Sequence, residues 1–179
     1  MMETQAEEKV LAREVTVPSG DRKMYAAGAL LIILGLYYLE FQNYLEHGHI
    51  SLTGTGMDTV ILGLWMWKVL WKYELILYPS RLVVNGKGII FKTHYEVDLT
   101  RTESFTDKYV KSFFRKTKIR HYIHKNSAID PNPQRLLCFT EGKKNKLAGI
   151  IFKCSEEFFK ELRKALPGKF LQLTEGAPK

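Results

Sequence analysis

Apolar and polar positions divide the chain into three textures. From Met24 to Leu39 (MYAAGALLIILGLYYL) 16 residues pass without a charge, and the apolar run continues through Phe41 and Tyr44 to Leu45, around Glu40 and Gln42. A helix over these 22 residues would reach roughly 33 Å at about 1.5 Å per residue, enough to cross hydrocarbon about 30 Å thick. Tyr37, Tyr38 and Tyr44 then fall near the interface, where amphipathic rings settle. A second stretch, Thr59–Trp67 (TVILGLWMW), extends back to Met57 and forward past Lys68 to Trp71 and Lys72. Lys68 can carry its ammonium to the headgroups along its aliphatic stem. Trp65, Trp67 and Trp71 with Lys68 and Lys72 make the aromatic-and-basic ending of a span at a cytoplasmic interface. Two readings compete. The first run as a cleaved signal peptide fits poorly, because 23 mixed-charge residues precede it and no small-residue cleavage site follows. The second run could instead be a short buried or re-entrant helix.

From Tyr73 the texture changes to short apolar stretches between turn residues. Expected strands are Tyr73–Tyr78, Arg81–Val84, Ile89–Thr93, Tyr95–Leu99, Lys111–Ile123, Leu136–Thr140 and Leu147–Lys153. Asn85-Gly86 reads as a tight hairpin turn after the second of them. Seven short strands of this kind predict an antiparallel sandwich or barrel. The last element is a helix. Ser155 is its N-cap, Glu156 and Glu157 complement the dipole in the first turn, and Phe158, Phe159, Leu162 and Leu166 form one apolar stripe. Pro167-Gly168 ends it.

Charge sharpens this division. The 179 residues carry 27 Lys and Arg against 19 Asp and Glu, a net +8. Residues 1–23 and 24–72 each hold a net −1, whereas 73–179 hold +10. Arg22 and Lys23 precede the first apolar run, Lys68 and Lys72 close the second, and the connection Glu46–Gly56 has no Lys or Arg. The positive-inside rule then puts both termini in the cytoplasm and the connection outside, in a plasma or inner membrane crossed twice. The organisation expected is a cytoplasmic segment (1–23), a transmembrane hairpin (24–72, helices over about 24–45 and 57–72), a β-domain (73–167) and a tail (168–179).

One motif series carries a resemblance. The hairpin leads into Tyr73-x-Leu75, Tyr78-Pro79-Ser80-Arg81-Leu82-x-Val84, Gly88, Val97-Asp98-Leu99-x-Arg101 and a final Ser155-Glu-Glu-Phe-Phe159. Over about residues 24–167 this resembles the bacterial pleckstrin-homology-like (PH-like) domains that follow a pair of transmembrane helices. Tyr78 stands where that family often has Thr, and Thr102 where a core Ile is common. The resemblance implies a membrane-anchored, mainly β protein. Two transmembrane helices would be followed by a seven-stranded, partly open barrel capped by a C-terminal helix, usually a non-catalytic binding module.

Candidate chemistry is concentrated in Lys108–Lys125 (KYVKSFFRKTKIRHYIHK), which has seven basic residues, Lys108, Lys111, Arg115, Lys116, Lys118, Arg120 and Lys125, and no carboxylate. Tyr109, Phe113, Phe114 and Tyr122 are interleaved with them. The run reads as a solvated hairpin face, as a surface for anionic lipid or an acidic protein partner, or as a nucleic-acid surface. The tether to a bilayer ranks lipid or protein above nucleic acid. Catalytic, metal and cofactor sites are not expected. Gly86-x-Gly88 does not continue into a dinucleotide or phosphate fingerprint. Cys138 and Cys154 lack neighbouring ligands, as do His47 and His49, and His121 and His124 have no nucleophile or carboxylate beside them in sequence. The expected function is a non-catalytic membrane adaptor that docks a protein partner or an anionic lipid surface. The alternative is a structural accessory subunit of a larger membrane complex, with Gly28, Gly35 and the alanines around them giving close helix packing.

Overall fold

The structure is a computed structural model and describes residues 8–88, 90–108, 119–142 and 145–172. It has mixed helix and sheet content, in two units. One comprises the stretches 17–71 and 127–131; the other holds the sheets.

Two helices make up most of the first unit. Ser19 caps α1 (Gly20–His47) by accepting a hydrogen bond from the Arg22 amide at 3.3 Å, and Gly48 ends it in the left-handed conformation, φ 69°. That glycine's amide donates to Tyr44 O at 2.8 Å, the closure that lets a residue without Cβ stop a helix. Ser51 then caps α2 (Leu52–Leu70) through the Gly54 amide at 3.1 Å. The hydroxyls of Tyr37 and Thr59 lie 2.9 Å apart, and the Trp65 indole donates to Ala26 O at 3.1 Å. By length and composition α1 is able to cross a membrane, and almost none of its most apolar stretch is buried. Leu31, Ile32, Leu34 and Leu39 are each more than half exposed. Asp58, by contrast, is buried.

The second unit contains two open sheets. The first has the order β1-β2-β3-β4, from β1 (Ala12–Val15), β2 (Lys72–Leu77), β3 (Arg81–Lys87) and β4 (Lys92–Asp98), all antiparallel. The second has the order β6-β8-β7-β5-β9, from β5 (Thr102–Thr106), β6 (His121–Lys125), β7 (Gln134–Glu141), β8 (Lys146–Lys153) and β9 (Phe170–Leu171). β6 runs parallel to β8, and β9 parallel to β5. In the first sheet Tyr73, Leu75, Leu77, Leu82, Val84 and Val97 turn inward and are buried, so one face packs and the other is largely wet. β3 breaks the alternation by burying Val83 on that outer face. β7 is apolar on both faces. Leu137 and Phe139 point one way, while Leu136 and Cys138 join Ile151 in a second cluster under Ile119, Tyr122 and Leu147. Gly149 makes room there: a Cβ would lie 3.0 Å from Leu136 Cδ1 and 3.1 Å from Tyr122 Cδ1. Ser155 caps α3 (Glu156–Ala165) as expected, accepting from the Phe158 amide at 3.2 Å, and Phe158, Phe159 and Leu162 are buried.

The strand expectations need three corrections. Asn85-Gly86 is no turn; it lies inside β3, and the chain reverses at Gly88, whose amide donates to Phe91 O at 2.9 Å. The separate strands expected at Ile89–Thr93 and Tyr95–Leu99 are one strand, β4. Nine strands stand among the described residues instead of seven, because β1, β5 and β9 carried too few apolar residues to register.

Candidate anion-binding face of the first sheet

Strand pairing brings together what the sequence keeps apart. Lys72 lies directly opposite Lys87, and Lys87 directly opposite Lys92. Directly opposed residues of antiparallel strands share a face, and neighbouring strands run about 4.8 Å apart. Three exposed ammonium groups thus form a row across one end of the sheet. Among the described residues none of the three has a carboxylate within ion-pair distance. Like charges set directly opposite destabilise a sheet, and a bound anion removes that penalty.

One step further along the strands the same face carries a polar ladder. Arg13 Nε donates to Glu74 Oε1 at 2.7 Å, Asn85 Nδ2 donates to Glu74 Oε2 at 3.2 Å, and His94 Nδ1 lies 2.8 Å from Asn85 Oδ1. These bonds, led by the one from Arg13, hold the Glu74 carboxyl below its ordinary value of 4.5. The ladder internally neutralises Glu74, leaving the lysine row as the uncompensated charge. Val15, the three lysines and Glu74, Asn85 and His94 line a shallow cleft of about 510 Å³. Beyond the lysines the β3–β4 turn presents Ile90 and Phe91 to solvent, 82% and 67% exposed.

Of the expected binding residues, Lys111, Arg115, Lys116 and Lys118 lie outside the described residues. Lys108 follows β5, its carbonyl accepting from the Thr106 hydroxyl at 2.8 Å. Arg120 is exposed, with its amide tied to Leu147 O at 2.9 Å. Lys125 ends β6 with its ammonium 5.8 Å from the Tyr95 ring. Among the expected interface residues, Trp65 is engaged with α1, Trp67 is exposed with Lys68 Nζ 5.6 Å from its ring, and Trp71 caps α2. Lys72 belongs to neither helix: it opens β2 and starts the lysine row. Sequence reading passed over Lys87 and Lys92. The signal was Lys-Gly-Ile-Ile-Phe-Lys at 87–92, an apolar tip between two lysines, hidden by placing the turn two residues early.

Both cysteines are buried, and burial pushes the Cys154 thiol up to about 12, the behaviour of packing groups and not of nucleophiles. Among the described residues no group of three or more His, Cys, Asp or Glu is placed to hold a metal ion. Comparison with known proteins found no family model and no curated protein that matches the chain.

Proposed function

We propose that the protein is a non-catalytic membrane adaptor whose α1–α2 hairpin crosses a bilayer twice and whose cytoplasmic β-domain works at the surface of that membrane. The observation that carries this reading is the pairing of β1 with β2. Val15 is opposite Glu74, the Thr16 amide donates to Tyr73 O at 2.8 Å, and the Leu11 amide donates to Leu77 O at 2.8 Å. The strand before the helices and the strand after them are neighbours in one sheet. Two neighbours in a sheet lie on one side of any membrane, so the chain between them crosses an even number of times. If α1 crosses, α2 brings the chain back. At 19 residues α2 is about 28 Å long, close to the hydrocarbon thickness. Its Asp58 is turned inward, and Lys68 stands near its end. The connection, free of Lys and Arg, supports an outside loop.

On this reading the two open sheets are the halves of a PH-like, partly open barrel, with the apolar stripe of α3 as its cap. The test is extraction and labelling of the full chain in native membranes. The protein should stay in the pellet through high salt and alkaline carbonate, because screening weakens surface attraction but does not remove a spanning helix. A thiol at Ile50→Cys, in the exposed connection, should react with an impermeant reagent from outside intact cells. Release by carbonate, or labelling only after lysis, would overturn the reading. Purification in mild detergent with stoichiometric membrane subunits would replace it by the accessory-subunit alternative.

A further inference from the structure

The lysine row and the β3–β4 tip lie at one end of the first sheet, and that end has a second property. β1 runs toward it and stops at Val15; β2 begins there at Lys72. Four residues separate Val15 from the start of α1, and one residue separates α2 from Lys72. The end that carries three uncompensated cations and an exposed apolar tip is therefore the end at which the chain departs for the helices and returns from them.

We infer that this end of the sheet seats on an anionic lipid surface, with Ile90 and Phe91 entering the acyl boundary and Lys72, Lys87 and Lys92 meeting lipid phosphates. The inference rests on the membrane reading above and adds a second contact to it. Three observations select lipid as the occupant. The three cations are arranged in a line, and among the described residues none is ion-paired, the neighbouring Glu74 being taken by Arg13 and Asn85. The apolar group is a protruding tip and not a groove, so it enters a soft medium more readily than it receives a partner's side chain. The two short connections keep the tip within reach of any bilayer that holds the helices. Basic residues beside an anionic leaflet each contribute on the order of a factor of five. Removing three of them should change the ratio of seated to unseated domains by about a hundredfold.

The test uses the full chain reconstituted in vesicles of phosphatidylcholine, alone or mixed with phosphatidylglycerol. An environment-sensitive fluorophore is placed at Phe91→Cys, and quenching by acyl-chain nitroxide lipids reports its depth. Cys138 and Cys154 are buried and do not compete for the label. In the mixed vesicles the label at residue 91 should shift to the blue and be quenched. One at Pro79→Cys, in the turn at the far end of β2, about 20 Å away along the strand, should not. Quenching at 91 should fall when salt is raised, and should be lost in the triple variant Lys72→Glu, Lys87→Glu, Lys92→Glu. The salt arm stands even if that variant fails to fold. A label at Ile32→Cys in α1 separates the two claims. Quenching at 32 with none at 91 overturns the seated tip and leaves the anchor; quenching at 91 with none at 32 overturns the anchor and keeps the tip. A tip quenched equally in neutral vesicles and at high salt overturns the role given to the lysines.

Discussion

Glu14 shows how much one side chain on a four-residue strand can hold. Its carboxylate accepts from the Ser155 amide at 2.9 and 3.0 Å, from the Ser155 hydroxyl at 2.8 Å and from Asn132 Nδ2 at 2.9 Å. It thus fixes the N-cap of α3 from β1. Glu14→Ala would take the carboxylate away from the Ser155 amide and hydroxyl at the start of the helix, and a loss of about 1–3 kcal/mol is expected in chemical denaturation. Phe159 is the apolar counterpart. Its ring meets Phe105 edge-on at 5.7 Å and Phe170 at 5.8 Å, and the Arg135 guanidinium lies 4.3 Å from it. Phe159→Ala should cost about 3–5 kcal/mol, and an unchanged thermal midpoint would show that α3 is peripheral. Acid acts on other residues. The Ser80 hydroxyl lowers Glu8, Arg13 lowers Glu74, and the Thr100 hydroxyl lowers Asp98, from ordinary values of 4.5, 4.5 and 3.8. Carboxyls depressed in the folded state are protonated first in the unfolded chain. Their contribution is complete above about pH 4.5 and is lost as pH falls through the depressed values. The thermal midpoint should therefore decline below that pH, less steeply in Glu74→Gln; identical slopes would remove Glu74 from the account.

At the scale of elements, legibility tracks how local the signal is. α3 was readable to the residue, because its cap, first-turn acids and apolar stripe all lie within twelve positions, Ser155 to Leu166. α1 was readable by length and apolarity, although its N-terminus lies at Gly20, four residues before the uncharged run. β1 was not readable. Ala-Arg-Glu-Val has no apolar run, and its strand character comes from partners at 74–77. β9 is the same case: Phe170 is drawn in by Phe105 and Phe159 and has no sequence pattern of its own. Asn85-Gly86 carried a strong turn signal and was overruled by pairing. Asn85 is bonded across to Glu74 and His94, and Gly86 sits opposite both Tyr73 and Thr93. The lysine row failed to appear for a related reason, since 72, 87 and 92 become neighbours only once the register is known.

For the whole molecule, the expected domain boundary at Tyr73 omits part of the sheet unit. Residues 12–15 supply a strand, and Lys72 one of three cations. A chain in which the 55 residues from Val17 to Trp71 are replaced by a short Gly-containing turn should therefore fold in water, since β1 and β2 are antiparallel neighbours and such neighbours need only a few residues to join them. The fragment 73–179 should be weaker, with β2 left as a bare edge and Ser155 without Glu14. A loss of about 2 kcal/mol in a domain of this size lowers the midpoint by about 10 °C. Equal midpoints for the two would show that β1 is an accessory strand.

The β1–β2 pairing also sets an order of events in synthesis. β1 leaves the ribosome first, but its partner is made only after both helices. If the hairpin spans a bilayer as proposed, a chain inserted with a single crossing would strand β1 and β2 on opposite faces, with an open sheet edge that invites aggregation or proteolysis. A closed sheet would then be a certificate of correct insertion, and misinserted copies would be removed because they cannot fold.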